Sequence, residues 1–196
     1  MSQTILLIDG ENFIHKVKEI LEKSANASSV VDAIDIDLEN LVKNPLKGLS
    51  ISRKVFYGAK LHFHQDTPIK SKGLIKAQRK LINNLKRYGY EFIMAGNVRG
   101  QKVGNKVIFR EKGVDVRIAV DMVSFACDKK VKTIILCSSD SDLQPAISEI
   151  KKRGIEVIYL GFENKPNKGI TFTTDRTILL RNSEVMEACQ KKEKSK

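Results

Sequence analysis

Five short apolar runs, each parted from the next by a stretch containing a helical pattern, constrain this chain more than any other feature. They are "TILLID" (4–9), "SRKVFYGAKL" (52–61), "YEFIMA" (90–95), "KTIILCSS" (132–139) and "IEVIYLG" (155–161). In several of them the apolar residues run on instead of alternating with polar ones. A strand of that kind has no face for solvent and must be covered on both sides. The intervening segments 13–23, 72–89, 114–128 and 142–154 carry helix-period apolar residues, and Gly89 and Gly154 mark two of their ends. Repeated strand–helix–strand units predict an α/β fold: one domain, a mostly parallel central sheet and helices on both faces. Residues 98–113, "VRGQKVGNKVIFREKG", depart from that pattern and predict a β-hairpin turning near Gly104-Asn105. The chain's 196 residues suit a single domain. We place that domain at 1–182, with 25–50 as an insertion holding a short helix or strand, and 183–196 as a C-terminal helix or basic tail.

The chain carries 35 Lys+Arg against 23 Asp+Glu, a formal charge of +12. Such an excess suits a polyanionic partner, of which nucleic acid is the common one, although solubility alone also selects basic surfaces. Cys127, Cys137 and Cys189 have neither CxxC nor zinc spacing and are expected to be reduced. No basic segment leads into a signal-like apolar stretch, and no apolar run approaches the length of a membrane span. The expectation is a soluble, cytoplasmic protein with no membrane partner.

Ligands of open parallel sheets bind outside the carboxyl ends of the strands. Asp9 ends the first run, in "LLIDGEN" (6–12), and "ILCSSDSDL" (135–143) places Asp140 and Asp142 just after the fourth. Each residue has a plain structural alternative. Asp9 can cap the helix that follows, and Asp142 can cap the next one with Pro145 in its first turn. On a helical wheel at about 100° per residue, Asp115 falls among the apolar residues of 114–128, over Ala119 and Met122. It can satisfy the free N–H groups of its own helix start. Val116 and Val120 fall on the same apolar arc. Asp121 falls on the polar arc, four residues after Arg117, where a solvated ion pair is the simplest role.

Taken together, Asp9, Asp115, Asp140 and Asp142 would gather at one edge of one sheet. Clustered carboxylates repel one another, so the cluster implies a divalent cation, and oxygen-only ligands point to Mg²⁺ or Mn²⁺. Asn12 would add a neutral oxygen or position a water or phosphate, and Gly10 would let the chain turn sharply. A hard cation beside a basic surface suits phosphodiester chemistry. There is no GxxxxGK[ST] or GxGxxG loop, and no Ser-His-Asp or Cys-His arrangement competes.

Three blocks, "LLIDGENF" (6–13), "EKGVDVRIAVDMV" (111–123) and "ILCSSDSDLQPAISEIKKRGIEVIYLGF" (135–162), resemble those of the NYN domain, in its LabA-like branch of the PIN-like nuclease superfamily. The resemblance covers roughly 4–180. It implies a metal-dependent ribonuclease with acidic residues at the ends of a parallel sheet. Asp9, Asn12, Asp115, Asp140 and Asp142 fall on its site positions, and Asp121 on a position where the family often shows an aspartate. Several members of the superfamily bind RNA without cutting it, so a non-catalytic RNA-binding module is the alternative. A TOPRIM-like phosphotransfer domain, with Glu11 as catalytic acid and Asp140/Asp142 as metal pair, is a third reading that an inward Asp115 argues against. A haloacid-dehalogenase phosphatase fits worse, because "DGE" lacks that motif's second aspartate.

On the 72–88 helix, Lys72, Lys76, Arg79, Lys80, Lys86 and Arg87 share one arc, with Leu74, Ile75, Leu81, Ile82, Leu85 and Tyr88 opposite. Solvated helices mix charges, and this face carries no acid, which favours phosphate contacts. The hairpin adds Arg99, Lys102, Lys106, Arg110 and Lys112 just before Asp115, and would reach over the site to hold RNA, single-stranded in preference. Phe109 and Tyr57 are expected in the core instead of stacked on bases. His62 and His64 share a strand face without a third zinc ligand in view, and His15 is expected to be structural or near the site. A homodimer remains open.

Overall fold

The first strand forms the spine of the molecule. In the computed structural model, β1 (Gln3–Asp9) lies between β2 (Ile51–Lys60) and β5 (Val131–Cys137), parallel to both. Ile5, Leu6, Leu7 and Ile8 are all buried. Leu6 and Ile8 pack into one core layer and Ile5 and Leu7 into another, which is why the run is apolar without alternation. The structure describes residues 3–23, 36–63, 65, 68–103 and 106–190, without the side chains of 70, 99–103, 106–111 and 190. The expected turn at Gly104-Asn105, His64, most of the earlier part of the 25–50 insertion and the 191–196 tail lie outside the described residues. So do the side chains of Arg99, Lys102, Lys106, Phe109 and Arg110.

The sheet has seven strands in the order β4-β3-β2-β1-β5-β6-β7. The others are β3 (Tyr90–Val103), β4 (Lys106–Lys112), β6 (Glu156–Phe162) and β7 (Arg176–Leu180). Six run parallel, and β4 pairs antiparallel with β3. One face is covered by α1 (Gly10–Lys23), α2 (Leu38–Lys43), α3 (Pro68–Arg87) and α7 (Asn182–Gln190), the other by α4 (Val114–Cys127), α5 (Gln144–Lys152) and α6 (Lys168–Thr173). The α/β architecture expected from the apolar runs is the one observed. Each buried Leu or Ile contributes roughly 1.5–3 kcal/mol.

Several local expectations change. The third strand and the hairpin's first arm are one continuous strand, β3. The Gly96-Asn97 pair that reads as a break continues the ladder, Gly96 against Ala59 and Asn97 against both Lys60 and Lys112. Beyond Asn97 only β4 accompanies it, so the hairpin extends past the end of β2. The expected helix 142–154 begins as a 3₁₀ turn, Ser141–Leu143, before α5. α1 starts at Gly10 itself. A β-carbon there would collide with the Phe56 ring and the Tyr57 carbonyl, so only glycine allows so close an approach. α6 and β7 had no counterpart among the apolar runs, because β7 is mostly exposed.

The wheel reading of α4 is corrected. Val116 and Val120 are 61% and 54% exposed, while Asp121 is buried beside Val114, Ile118 and Met122. The helix is turned relative to its apolar arc because Asp121 has partners beneath it. Tyr57 Oη donates to its Oδ2 at 3.0 Å, and Arg117 Nε to its Oδ1 at 2.9 Å. The expected Arg117 pair therefore forms, but its acidic half is not solvated.

Candidate metal centre and nucleic-acid surface

β1 is flanked by strands reached through crossovers on opposite faces, so the sheet's topological switch lies between β1 and β5. A crevice opens there at the carboxyl ends. Asp9 is the last residue of β1, and Ser138 follows the last residue of β5. Both are buried. Ser138 Oγ donates to Asp9 Oδ2 at 2.9 Å, and the Asn12 N–H donates to Asp9 Oδ1 at 3.2 Å. The helix-capping role and the site position of Asp9 therefore coexist.

Above Asp9 lies a recess of about 410 Å³ lined by Asp9, Lys112, Gly113, Asp115, Val116 and Asp140. Gly113, at φ 95°, turns β4 into α4 and sets Asp115 in the helix's first turn. Asp115 is half-buried at the recess wall and not sunk into the core. Asp140 caps the 3₁₀ turn: its Oδ1 accepts from the Asp142 N–H at 3.0 Å, while its own N–H donates to Ser138 Oγ at 3.2 Å. The cap is thus Asp140, two residues earlier than the capping role considered for Asp142. Carboxylate oxygens of Asp115, Asp140 and Asp142 lie within 4.8 Å of one another. Asp9 lies beside this trio, its oxygens engaged as described. Among the described residues no lysine or arginine is ion-paired with any of the three. Three mutually close carboxylates offering oxygen alone form a donor set that fits a hard divalent cation.

Asn12 reaches across from α1. Its Oδ1 accepts from the Ser139 N–H at 3.1 Å. On the other side of that residue, Asn167 Nδ2 donates to the Ser139 carbonyl at 2.8 Å, and Asn167 Oδ1 caps α6 by accepting from the Ile170 N–H at 3.0 Å. Two asparagines from opposite faces therefore grip the segment that presents Asp140. Sequence reasoning missed Ser138 and Asn167. Ser138 was legible as a hydroxyl directly after an apolar strand, but Asn167 carries no signal in a loop without periodicity. Glu11 is exposed and outside the close carboxylate group of Asp115, Asp140 and Asp142, which speaks against the arrangement that the TOPRIM-like reading needs.

α3 presents Lys72, Lys76, Arg79, Lys80, Lys86 and Arg87 to solvent and contains no acidic residue. Leu74 and Tyr88, expected on its inner side, are 39% and 43% exposed. Tyr57 is fully buried. His62 Nε2 lies 3.3 Å from Asn97 Oδ1 in an exposed position, and the exposed His15 lies near Glu19. Cys137 and Cys189 are buried and Cys127 is exposed, and none of the three is in a disulfide.

Comparison with known proteins agrees with this architecture. The sequence profile of the NYN domain matches residues 3–180. The crystal structure of a protein of unknown function from Vibrio parahaemolyticus is similar over 91% of this chain and 93% of its own, at 18% identity and a TM-score of 0.62. That likeness concerns the fold. A search among proteins of curated function returned no match. No described helix is long and apolar enough to cross a membrane.

Proposed function

From the premise that this chain belongs to the NYN domain family, we propose that it is a metal-dependent ribonuclease, cutting RNA within the strand, of the LabA-like branch. The observation that carries the reading is the meeting of Asp115, Asp140 and Asp142 at the sheet's switch point, beside Asp9. These three would hold Mg²⁺ or Mn²⁺, with Asp9 in the same recess as the fourth candidate ligand. Such an ion supplies a Lewis acid for a phosphate oxygen and lowers the pKa of a bound water. The chain's own residues do the rest. Lys112, on the recess wall, offers a positive charge to the incoming phosphate. Asn12 and Asn167 hold the Ser139 peptide, and so Asp140, in place before substrate arrives. Lys72, Lys76, Arg79, Lys80 and Arg87 supply backbone contacts along α3, and Lys102, Lys106 and Arg110 along the hairpin, to a single-stranded RNA. The setting for this chemistry is the cytoplasm.

The test is a cleavage assay on end-labelled single-stranded RNA. Internal products are expected with Mn²⁺, none with EDTA, and at least a 100-fold slower reaction for Asp140→Asn. RNA binding without any metal-dependent product would replace this reading with the non-catalytic binder.

A further inference from the structure

A second cavity, of about 310 Å³, opens on the other side of the β1 end. Its first lining residue, Gly10, directly follows Asp9, and the remaining walls come from α1, β2, α3 and β3. Ile14, Phe56, Leu74, Leu81 and Phe92 make it mainly apolar. Phe56 and Phe92 are stacked at 5.8 Å between centroids and 19° between planes. Glu11, His15, Lys18 and Gln78 supply polar groups at the lining, and Gln78 is tied to the fold through its Nε2, which donates to the Ala59 carbonyl at 2.7 Å. The volume is at the small end of the range of about 300–1,000 Å³ common for ligand pockets, room for one ring system instead of an extended chain.

We propose that this cavity receives one unstacked nucleobase of the RNA whose phosphate occupies the acidic recess; the inference rests on the ribonuclease reading and extends it. Three observations select a nucleobase over an apolar protein side chain. The cavity begins one residue beyond the acidic recess, so a strand laid along the sheet's carboxyl edge meets both. Its α3 wall, Leu74 and Gln78, belongs to the helix whose solvent face carries Lys72, Lys76 and Arg79 and no acid, which suits a phosphate backbone and not an acidic or neutral peptide. The lining pairs apolar surface with a few polar groups, matching a base's flat faces and hydrogen-bonding edge. Phosphate contacts alone read no sequence, so this cavity would be where the protein senses a base at a fixed distance from the cut.

The test is binding of short fluorescent RNAs by anisotropy, at low salt in EDTA so that no cleavage occurs, with a single abasic site moved along the strand. One position is expected to weaken binding about 10-fold, the size of losing one stacked base. In Leu74→Gln, which keeps the charge and alters a partly exposed wall residue, that position-specific penalty should shrink to under 3-fold while the thermal midpoint stays unchanged. If that variant proves unstable, Lys18→Ala with the same scan replaces it. Tight binding with equal affinity at every abasic position overturns the base pocket and leaves the ribonuclease reading intact. A penalty that persists undiminished in a folded variant overturns this cavity as its source. No RNA binding at all, in EDTA or with Mn²⁺, removes the ribonuclease reading, and the pocket with it.

Discussion

Asn12 shows how one side chain of the opening motif ties together the backbone around the acidic recess. Its backbone N–H ends on Asp9 and its side-chain oxygen on the Ser139 N–H, so it fixes the two strand ends that supply acidic residues. The sequence offered it as a possible ligand. The geometry gives its oxygen a structural partner first. Replacing it with alanine leaves the Ser139 N–H without this acceptor, a loss of about 1 kcal/mol. For a domain of this size that lowers the thermal midpoint by roughly 2–4 °C. Mn²⁺ affinity should fall about 10-fold in Asn12→Ala, as for other residues that orient metal ligands. Isothermal titration with Mn²⁺ checks this, and an unchanged affinity would mean that the Ser139 segment holds its shape unaided. Asp9 was readable as either cap or ligand. It is a cap that also faces the recess, and this could not be read because capping and lining are both compatible with one carboxylate.

At the scale of elements, α4 is the lesson. Its residues 114–128 read clearly as a helix, yet their inward face did not, because a wheel weights apolarity and takes no account of what lies beneath. Tyr57 lies beside Asp9 in the β1–β2 ladder, and its hydroxyl draws Asp121 inward, which turns Val116 and Val120 to solvent. The same contact ties the helix bearing Asp115 to the strands beside Asp9. Tyr57→Phe should therefore destabilise the fold by about 1–3 kcal/mol, since Asp121 stays buried with one donor fewer. The phenol also makes a prediction about pH. Burial first, then the Asp121 charge and hydrogen bond, push its pKa well above the usual tyrosine value. A raised acid pKa favours the protonated fold, so this contribution is complete below about pH 10, where an unfolded tyrosine ionises, and is lost as pH rises further. Urea melts at pH 8 and pH 11 should show a smaller alkaline loss in Tyr57→Phe than in the parent protein. The opposite ordering would show that the tyrosine is not held in its neutral form.

For the whole molecule, the covered parallel sheet follows from features that the sequence carried openly, while the order of its strands does not. Apolar runs such as 5–8 and 134–137 are buried on both faces, and only a covered parallel sheet accommodates them. The switch between β1 and β5 then places Asp9 and Asp140 at one edge by topology alone. Less was legible where burial is partial. β7 and α6 are short, and α6 is fixed by Asn167, a cap with no hydrophobic pattern to announce it. The separation of an acidic recess from an apolar cavity across one strand end was also hidden, because it depends on which face each side chain takes after β1 ends. The central claim is that the acidic recess holds a divalent cation, and a crystal soaked in Mn²⁺ and measured for anomalous scattering tests it most directly. The account predicts a strong peak bounded by Asp115, Asp140 and Asp142 on the Asp9 side, absent in Asp140→Asn. A fully soaked crystal with no peak in that recess would contradict it.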